Sequence, residues 1–221
     1  MVQIVHPRVK ICCIGSIEEA ELAIRYGASA IGLVSEMPSG PGPISEHLIV
    51  GIAATIPRHV ASFLLTCKQD AASIIDQQRR VRTNTVQLVD TVPLETYRLI
   101  HEEMTGVAIV QVVHVVDASA IDVALSVAPH VDAMLLDSGN PSLPVKQLGG
   151  TGRIHDWSIS RRIREEVDVP VFLAGGLKPE NVREAIDIVG PFGVDVCSGV
   201  RTNGRLDEEK LKDFFDAVMG R

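Results

Sequence analysis

The chain alternates between short runs apolar on both faces and longer stretches whose apolar positions recur about every three to four residues. The first pattern suits a parallel strand covered on both sides, the second an amphipathic helix packed along one face. Strands are predicted at 8–12, 29–34, 60–66, 85–88, 108–113, 131–136, 169–173 and 193–196. Helix signals fall between them. Ser16, followed by Glu18 and Glu19, opens a helix ending near Gly27; Ser45-Glu46 opens the next, and Asp70 caps the third. A fourth begins around Pro93, a fifth covers 118–128, a sixth leads from Trp157, and a seventh opens on Pro179-Glu180-Asn181. Asp207 caps a closing helix that runs to Met219. Short polar side chains at such points accept hydrogen bonds from first-turn amides, and carboxylates favour the positive end of the helix dipole. Eight strand–helix alternations predict an α/β fold, a single-domain (β/α)8 barrel over residues 1–221, with a doubly wound sheet as the competing arrangement.

Composition narrows this picture. The 221 residues are 46% hydrophobic but only 4% aromatic, which means an aliphatic core. A net charge of −7 disfavours a nucleic-acid surface. No apolar run approaches the roughly 20 residues of a membrane span, and residues 1–10 lack the apolar core of a signal peptide. A cytoplasmic protein that binds neither membrane nor nucleic acid is expected, acting as a monomer or homodimer. The four cysteines, Cys12, Cys13, Cys67 and Cys197, form no zinc-type spacing, so no metal is expected, and a reducing compartment would leave them as free thiols. The seven histidines are scattered at element edges, where surface or structural roles fit them best.

In a barrel of this kind the chemistry gathers at the carboxyl ends of the strands. The last two strands both run into small-residue turns, Ala174-Gly175-Gly176-Leu177 and Cys197-Ser198-Gly199-Val200. Glycine lets main-chain amides approach an anion closely, so two such turns on one rim form a cradle for a phosphate. The other strand-end residues are Cys12, Gln87, Gln111 and Asp137. Cys12 and Asp137 end the first and sixth strands, and a thiolate and a carboxylic acid facing each other across the mouth can act as base and acid in an isomerisation. That requires a thiol pKa below about 8.5 and a carboxyl pKa above about 3.9. Lys10 faces the same way as Cys12, and barrel closure brings the strand bearing Asp195 alongside; a buried Lys10–Asp195 pair is expected.

These residues also carry a resemblance. Val9-Lys10-Ile11-Cys12, Met134-Leu135-Leu136-Asp137-Ser138, Gly149-Gly150-Thr151-Gly152 with Asp156-Trp157, and Gly175-Gly176-Leu177-Lys178-Pro179-Glu180-Asn181-Val182 are similar to the phosphoribosylanthranilate isomerase family. Asp195-Val196-Cys197-Ser198-Gly199-Val200 completes the set. The resemblance implies a (β/α)8 enzyme of tryptophan biosynthesis that performs an Amadori rearrangement on a phosphosugar substrate, with no cofactor and no metal. Asp137 would protonate the ribose ring oxygen and Cys12 remove the C2 proton. The phosphate would lie on Gly150, Thr151, Gly152, Gly175, Gly176, Ser198 and Gly199.

Three positions depart from the family pattern. Cys13 stands where the family usually has Gly after the cysteine. Gly42, in the Pro/Gly-rich loop 37–43, stands where it has the arginine that reads the anthranilate carboxylate. Leu88-Val89-Asp90 replaces Leu-His-Gly. Lys68, Arg82 and Arg153 are the cations expected to compensate, and without one of them weak activity is expected, with Gly42→Arg as its remedy. Two other readings fit the same residues: a paralogue acting on a different phosphosugar, and a catalytically silent phosphosugar-binding barrel.

Overall fold

Arg8–Ile11 (β1) pairs in parallel with Ala30–Val34 (β2) on one side and with Gly193–Val196 (β8) on the other, and the second pairing closes the sheet into a ring. Between them, in order, stand Ala61–Thr66 (β3), Thr85–Leu88 (β4), Ala108–His114 (β5), Ala133–Asp137 (β6) and Val171–Leu173 (β7). This computed structural model describes residues 6–221; residues 1–5, the front of the segment without signal-peptide character, lie outside it. The expected closed (β/α)8 barrel is what forms, not the open sheet.

Strand alternation sorts the apolar residues into two cores. Residues of one phase, among them Val34, Phe63, Leu65, Val112, Leu135 and Phe172, fill the barrel. The other phase, including Ile11, Ile31, Leu33, Leu64 and Leu136, packs outward under the helices. Each such large aliphatic side chain, fully buried, contributes about 1.5–3 kcal/mol by transfer from water. Lys10 and Asp195 belong to the inward phase and stand directly opposite in the β1–β8 register, which makes their pairing a consequence of closure.

The surrounding helices are α1 (Ile17–Arg25), α2 (Glu46–Thr55), α3 (Ala71–Val81), α4 (Leu94–Glu103), α5 (Ala120–Val127), α6 (Trp157–Glu166), α7 (Val182–Val189) and α8 (Glu208–Met219). Ser16, Ser45, Asp70 and Asp207 each accept a first-turn amide, as their positions predict, and Asp156, not read as a cap from the sequence, does the same. One start differs from expectation, and one element is added. Pro179, Glu180 and Asn181 form a turn, not helix, because the Asn181 side chain folds back: it accepts from Lys178 N at 2.8 Å and donates to Gly176 O at 3.0 Å. A small hairpin, Arg201–Thr202 (β9) with Arg205–Leu206 (β10), separates β8 from α8 and was not anticipated.

The cysteines are corrected as well. Cys13 and Cys197 form a disulfide with a Cα–Cα distance of 5.9 Å, while Cys12 and Cys67 are free. Closure of β1 against β8 brings together residues 184 apart in sequence. Thiol titration of the denatured protein is expected to find two thiols before reduction and four after; four before reduction would mean that the pair stands open.

Candidate active site

Cys12, Asp137, Gln87, Gly149, Gly150, Thr151, Gly152, Gly175, Gly176, Asp195 and Ser198 line one cavity at the carboxyl ends of the strands. The structure therefore brings together the two chemical residues and all three glycine turns. Gly199 lies just behind the lining: its backbone is pressed on Leu177 O so closely that no side chain fits there. Gln111 is a correction. Its side chain turns out of the barrel, donating to Leu88 O and Asp90 O at 3.1 Å and accepting from Tyr97 Oη at 2.8 Å.

The base end begins in β1. Lys10 is fully buried, and its Nζ lies 2.9 Å from Asp195 Oδ2 and 5.2 Å from the centre of the Phe63 ring. The approach to Asp195 is too far off line for a directed hydrogen bond, so the contact is an ion pair by distance and leaves an ammonium donor unused. Gly32 on β2 shows that Cys12 and Lys10 lie side by side: a methyl group at its Cα would come 2.9 Å from Cys12 Sγ and 3.1 Å from Lys10 Nζ. Burial alone would lower the Lys10 pKa, but Asp195 and then Cys12 outweigh it and hold it above its ordinary value. The lowered thiol pKa expected of a base is not found: burial pushes the Cys12 thiol up to about 11, and Lys10 pulls it only part of the way back. Thiol and ammonium thus form a pair in which loss of the thiol proton is stabilised by a neighbouring charge.

Asp137 closes β6, only 8% exposed. Its Oδ1 accepts the Ser138 amide at 2.7 Å, and Ser138 Oγ lies 2.7 Å from Thr151 Oγ1. Oδ2 faces Gly149, where a methyl group would crowd it at 2.8 Å. Gly149, by lacking a side chain, leaves Oδ2 free of that contact. His155 sits behind Gly175 with Nε2 2.7 Å from Ser160 Oγ; burial lowers its pKa, and its nearness to Asp137 was not legible from sequence.

Among the described residues, the main-chain N–H groups of Gly150, Thr151, Gly152, Gly175, Gly176, Ser198 and Gly199 reach no protein acceptor. Seven unpaired amides converging on one rim are what an anion requires. Gly176 adopts φ +65° with its Cα against Arg153 and Ile154, so any larger residue would push the turns apart. Because α7 begins only at Val182, the donors are the turn amides, not the first turn of that helix. Asn181, clasping Gly176 O and Lys178 N, fixes the shape of the turn.

The front of the cavity is roofed where loop 37–43 meets the loop after β6. Ser39 Oγ donates to Lys146 O at 2.6 Å, and Pro41 covers Gly150. No Lys, Arg or His lines the cavity among the described residues. Arg82 caps α3 at the opposite end of the barrel. Arg153 is exposed and donates to Gln147 Oε1 at 2.7 Å. Lys68 lines an adjoining hollow that shares Met37 and Leu148 with the cavity. Of the residues replacing Leu-His-Gly, Val89 lines the cavity and Asp90 pairs with Lys146 at 2.5 Å. Gly42 has φ +83°, and a Cβ there would lie 2.6 Å from Cys13 Cβ. The space an arginine stem would need at 42 is taken by the side chain at 13, so the remedy expected from Gly42→Arg does not fit this chain. Alone, it is expected to lower Tm by several degrees without raising activity, the strain being about 1–2 kcal/mol or more; joined with Cys13→Gly, part of the loss should return. A more active single variant would overturn this geometry.

Comparison with known proteins places these features. The family pattern of N-(5'phosphoribosyl)anthranilate (PRA) isomerase matches residues 9–217. The N-(5'-phosphoribosyl)anthranilate isomerase of Methanosarcina acetivorans is 34% identical over 96% of this chain and 92% of its own length. Among solved structures, a phosphoribosylanthranilate isomerase in complex with reduced 1-(o-carboxyphenylamino)-1-deoxyribulose 5-phosphate superposes with a TM-score of 0.81 at 31% identity, over 97% of this chain and all of the other. Monomers of the dimeric enzyme from Thermotoga maritima superpose at 0.80 and 31%, with the same coverage.

Proposed function

Because the chain belongs to the N-(5'-phosphoribosyl)anthranilate isomerase family, we propose that Cys12 and Asp137 carry out its aldose-to-ketose isomerisation as general base and general acid. The enzyme isomerises phosphoribosylanthranilate in tryptophan biosynthesis. Asp137 protonates the ribose ring oxygen; the C1–O bond breaks, and the anilino nitrogen supplies the electron pair that makes an iminium ion. The Cys12 thiolate, stabilised by Lys10, then takes the C2 proton and leaves an enol. Protonation at C1 and loss of the 2-hydroxyl proton give the ketone, so atoms balance without an oxidant.

The observation that carries this reading is the shared cavity: thiol, carboxyl and the residues bearing six of the seven unpaired amides line one space of a barrel mouth, with Gly199 just behind it. The phosphate sits on the amides of Gly150, Thr151, Gly152, Gly175, Gly176, Ser198 and Gly199, and the sugar lies between Cys12 and Asp137. The ligand named for the solved relative is a phosphate ester of the same sugar class, which agrees with this reading. We place the enzyme in the cytoplasm, working as a monomer or homodimer; no helix among the described residues is long and apolar enough to cross a membrane.

The direct test is turnover of phosphoribosylanthranilate with inorganic phosphate as inhibitor. Phosphate is expected to compete, and in a crystal soaked with phosphate or sulfate the anion should touch N–H groups of Gly176, Ser198 or Gly199. An anion bound elsewhere with this rim empty would overturn the cradle, and no turnover by folded protein would overturn the assignment of roles.

A further inference from the structure

The chain leaves β1 through a turn that needs support. Cys13 adopts φ +61°, a left-handed conformation rare outside glycine, asparagine and aspartate. The carbonyls of Cys12 and Cys13 receive no main-chain N–H among the described residues. One side chain answers both. Arg201, whose side chain is 9% exposed, directs its NH2 group to Cys13 O at 2.6 Å and to Cys12 O at 3.3 Å, while NH1 reaches Gly204 O at 3.1 Å. The same guanidinium meets Glu19 in two-pronged fashion, at 2.9 and 3.0 Å. Glu19 in turn accepts the amides of Gly15 at 3.0 Å and Leu206 at 2.9 Å, so its carboxylate carries four hydrogen bonds from three residues. Burial alone would raise the Glu19 pKa, but these donors hold it below its ordinary value and keep the pair charged.

The position of this pair in the chain gives it a consequence for the reaction. Arg201 directly follows the short 3-10 turn Ser198–Val200, which supplies phosphate-facing amides, and its guanidinium grips the peptide groups that follow Cys12. We propose that Arg201, held by Glu19, is a positioning residue that locks the turn after Cys12 to the phosphate-binding turn and so aims the thiol into the cavity. The inference rests on the reading of Cys12 as the base. A freed turn lets the peptide after Cys12 rotate, and Sγ leaves its place against Gly32 and Lys10 Nζ. A misplacement near 1 Å is enough to cost about 100-fold in rate.

The test uses the full-length enzyme under dithiothreitol, so that the Cys13–Cys197 bond does not mask the effect. Arg201→Met is expected to lower kcat by about 30- to 100-fold while KM stays within about threefold, because thiol aim is lost and the phosphate turn keeps its amides. Alkylation of Cys12 by iodoacetamide, followed by peptide mass mapping, should show an altered pH profile in that variant. Adding Cys13→Gly should restore about tenfold of the lost kcat, since glycine takes the left-handed turn without help. A merely structural arginine would lower Tm without a kcat loss that Cys13→Gly rescues. Should Arg201→Met fail to fold, Glu19→Gln carries the same expectation with a smaller loss. Unchanged kcat and alkylation in either folded variant, or a loss that Cys13→Gly leaves untouched, overturns the proposal. Cys12→Ser separates the two layers: an active Cys12→Ser sinks the base, whereas an inactive one beside a fully active Arg201→Met sinks only the clamp.

Discussion

Cys12→Ser is expected to lower kcat/KM on phosphoribosylanthranilate by about 10²–10⁴-fold, the range for loss of a positioned general base. Serine fills nearly the same volume between Gly32 and Lys10, so the fold and the phosphate turns should be unaffected. What is lost is acidity: a hydroxyl does not ionise in the range where a thiol beside an ammonium does. Cys13→Gly, one residue on, should lose far less, since Cys13 Sγ is bonded to Cys197. The thiol's raised pKa adds a pH signature. With Cys12 near 11 in the free enzyme, about one molecule in a thousand carries the thiolate at pH 8. Alkylation needs only the thiolate, so the rate of Cys12 modification by iodoacetamide should climb about tenfold per unit between pH 7 and 9. Lys10, held above its ordinary value of 10.5, stays charged across that window and adds no opposing limb. A flat alkylation profile would remove the raised pKa, and a serine variant as active as wild type would remove Cys12 from the role.

Asp137→Asn is the second large effect, again about 10²–10⁴-fold and expressed in kcat. An asparagine can keep the Ser138 amide on its oxygen, as Oδ1 does now at 2.7 Å, but it has no proton to give to the ribose ring oxygen. Ring opening then lacks its acid. Because the amides of 150–152, 175–176 and 198–199 are untouched, KM should move by no more than a few-fold, and inorganic phosphate should inhibit both forms equally. A KM effect with kcat preserved would recast Asp137 as a binding group.

Local physics made much of this molecule legible before any contact was known. Ser16, Ser45, Asp70 and Asp207 stand where a short polar side chain precedes an apolar period, and all four accept a first-turn amide. The strands declare themselves by being apolar on both faces, which follows only from cover on both sides. Even the Lys10–Asp195 pair could be anticipated, because parity along β1 and β8 and the closing of eight strands leave few other partners for a lysine in mid-strand.

Other features depend on distances that no local period encodes. Gln111 is not a strand end like Gln87: β5 runs on to His114, and Gln111 shares the outward phase of Ile109 and Val113, where Tyr97 on α4 meets it. The exclusion of a side chain at Gly42 is set by Cys13, 29 positions away by number, through a contact of loop on turn. Cys13–Cys197 and Arg201–Glu19 span 184 and 182 positions and exist only because the last strand lies beside the first. Sequence by itself determined the barrel, most of its caps and the placing of Cys12 and Asp137 at its mouth, since each follows from chain period and residue type. The tertiary structure alone decided how the turn after Cys12 is held and what can stand beside it, because those forces act between segments that meet only when the ring closes.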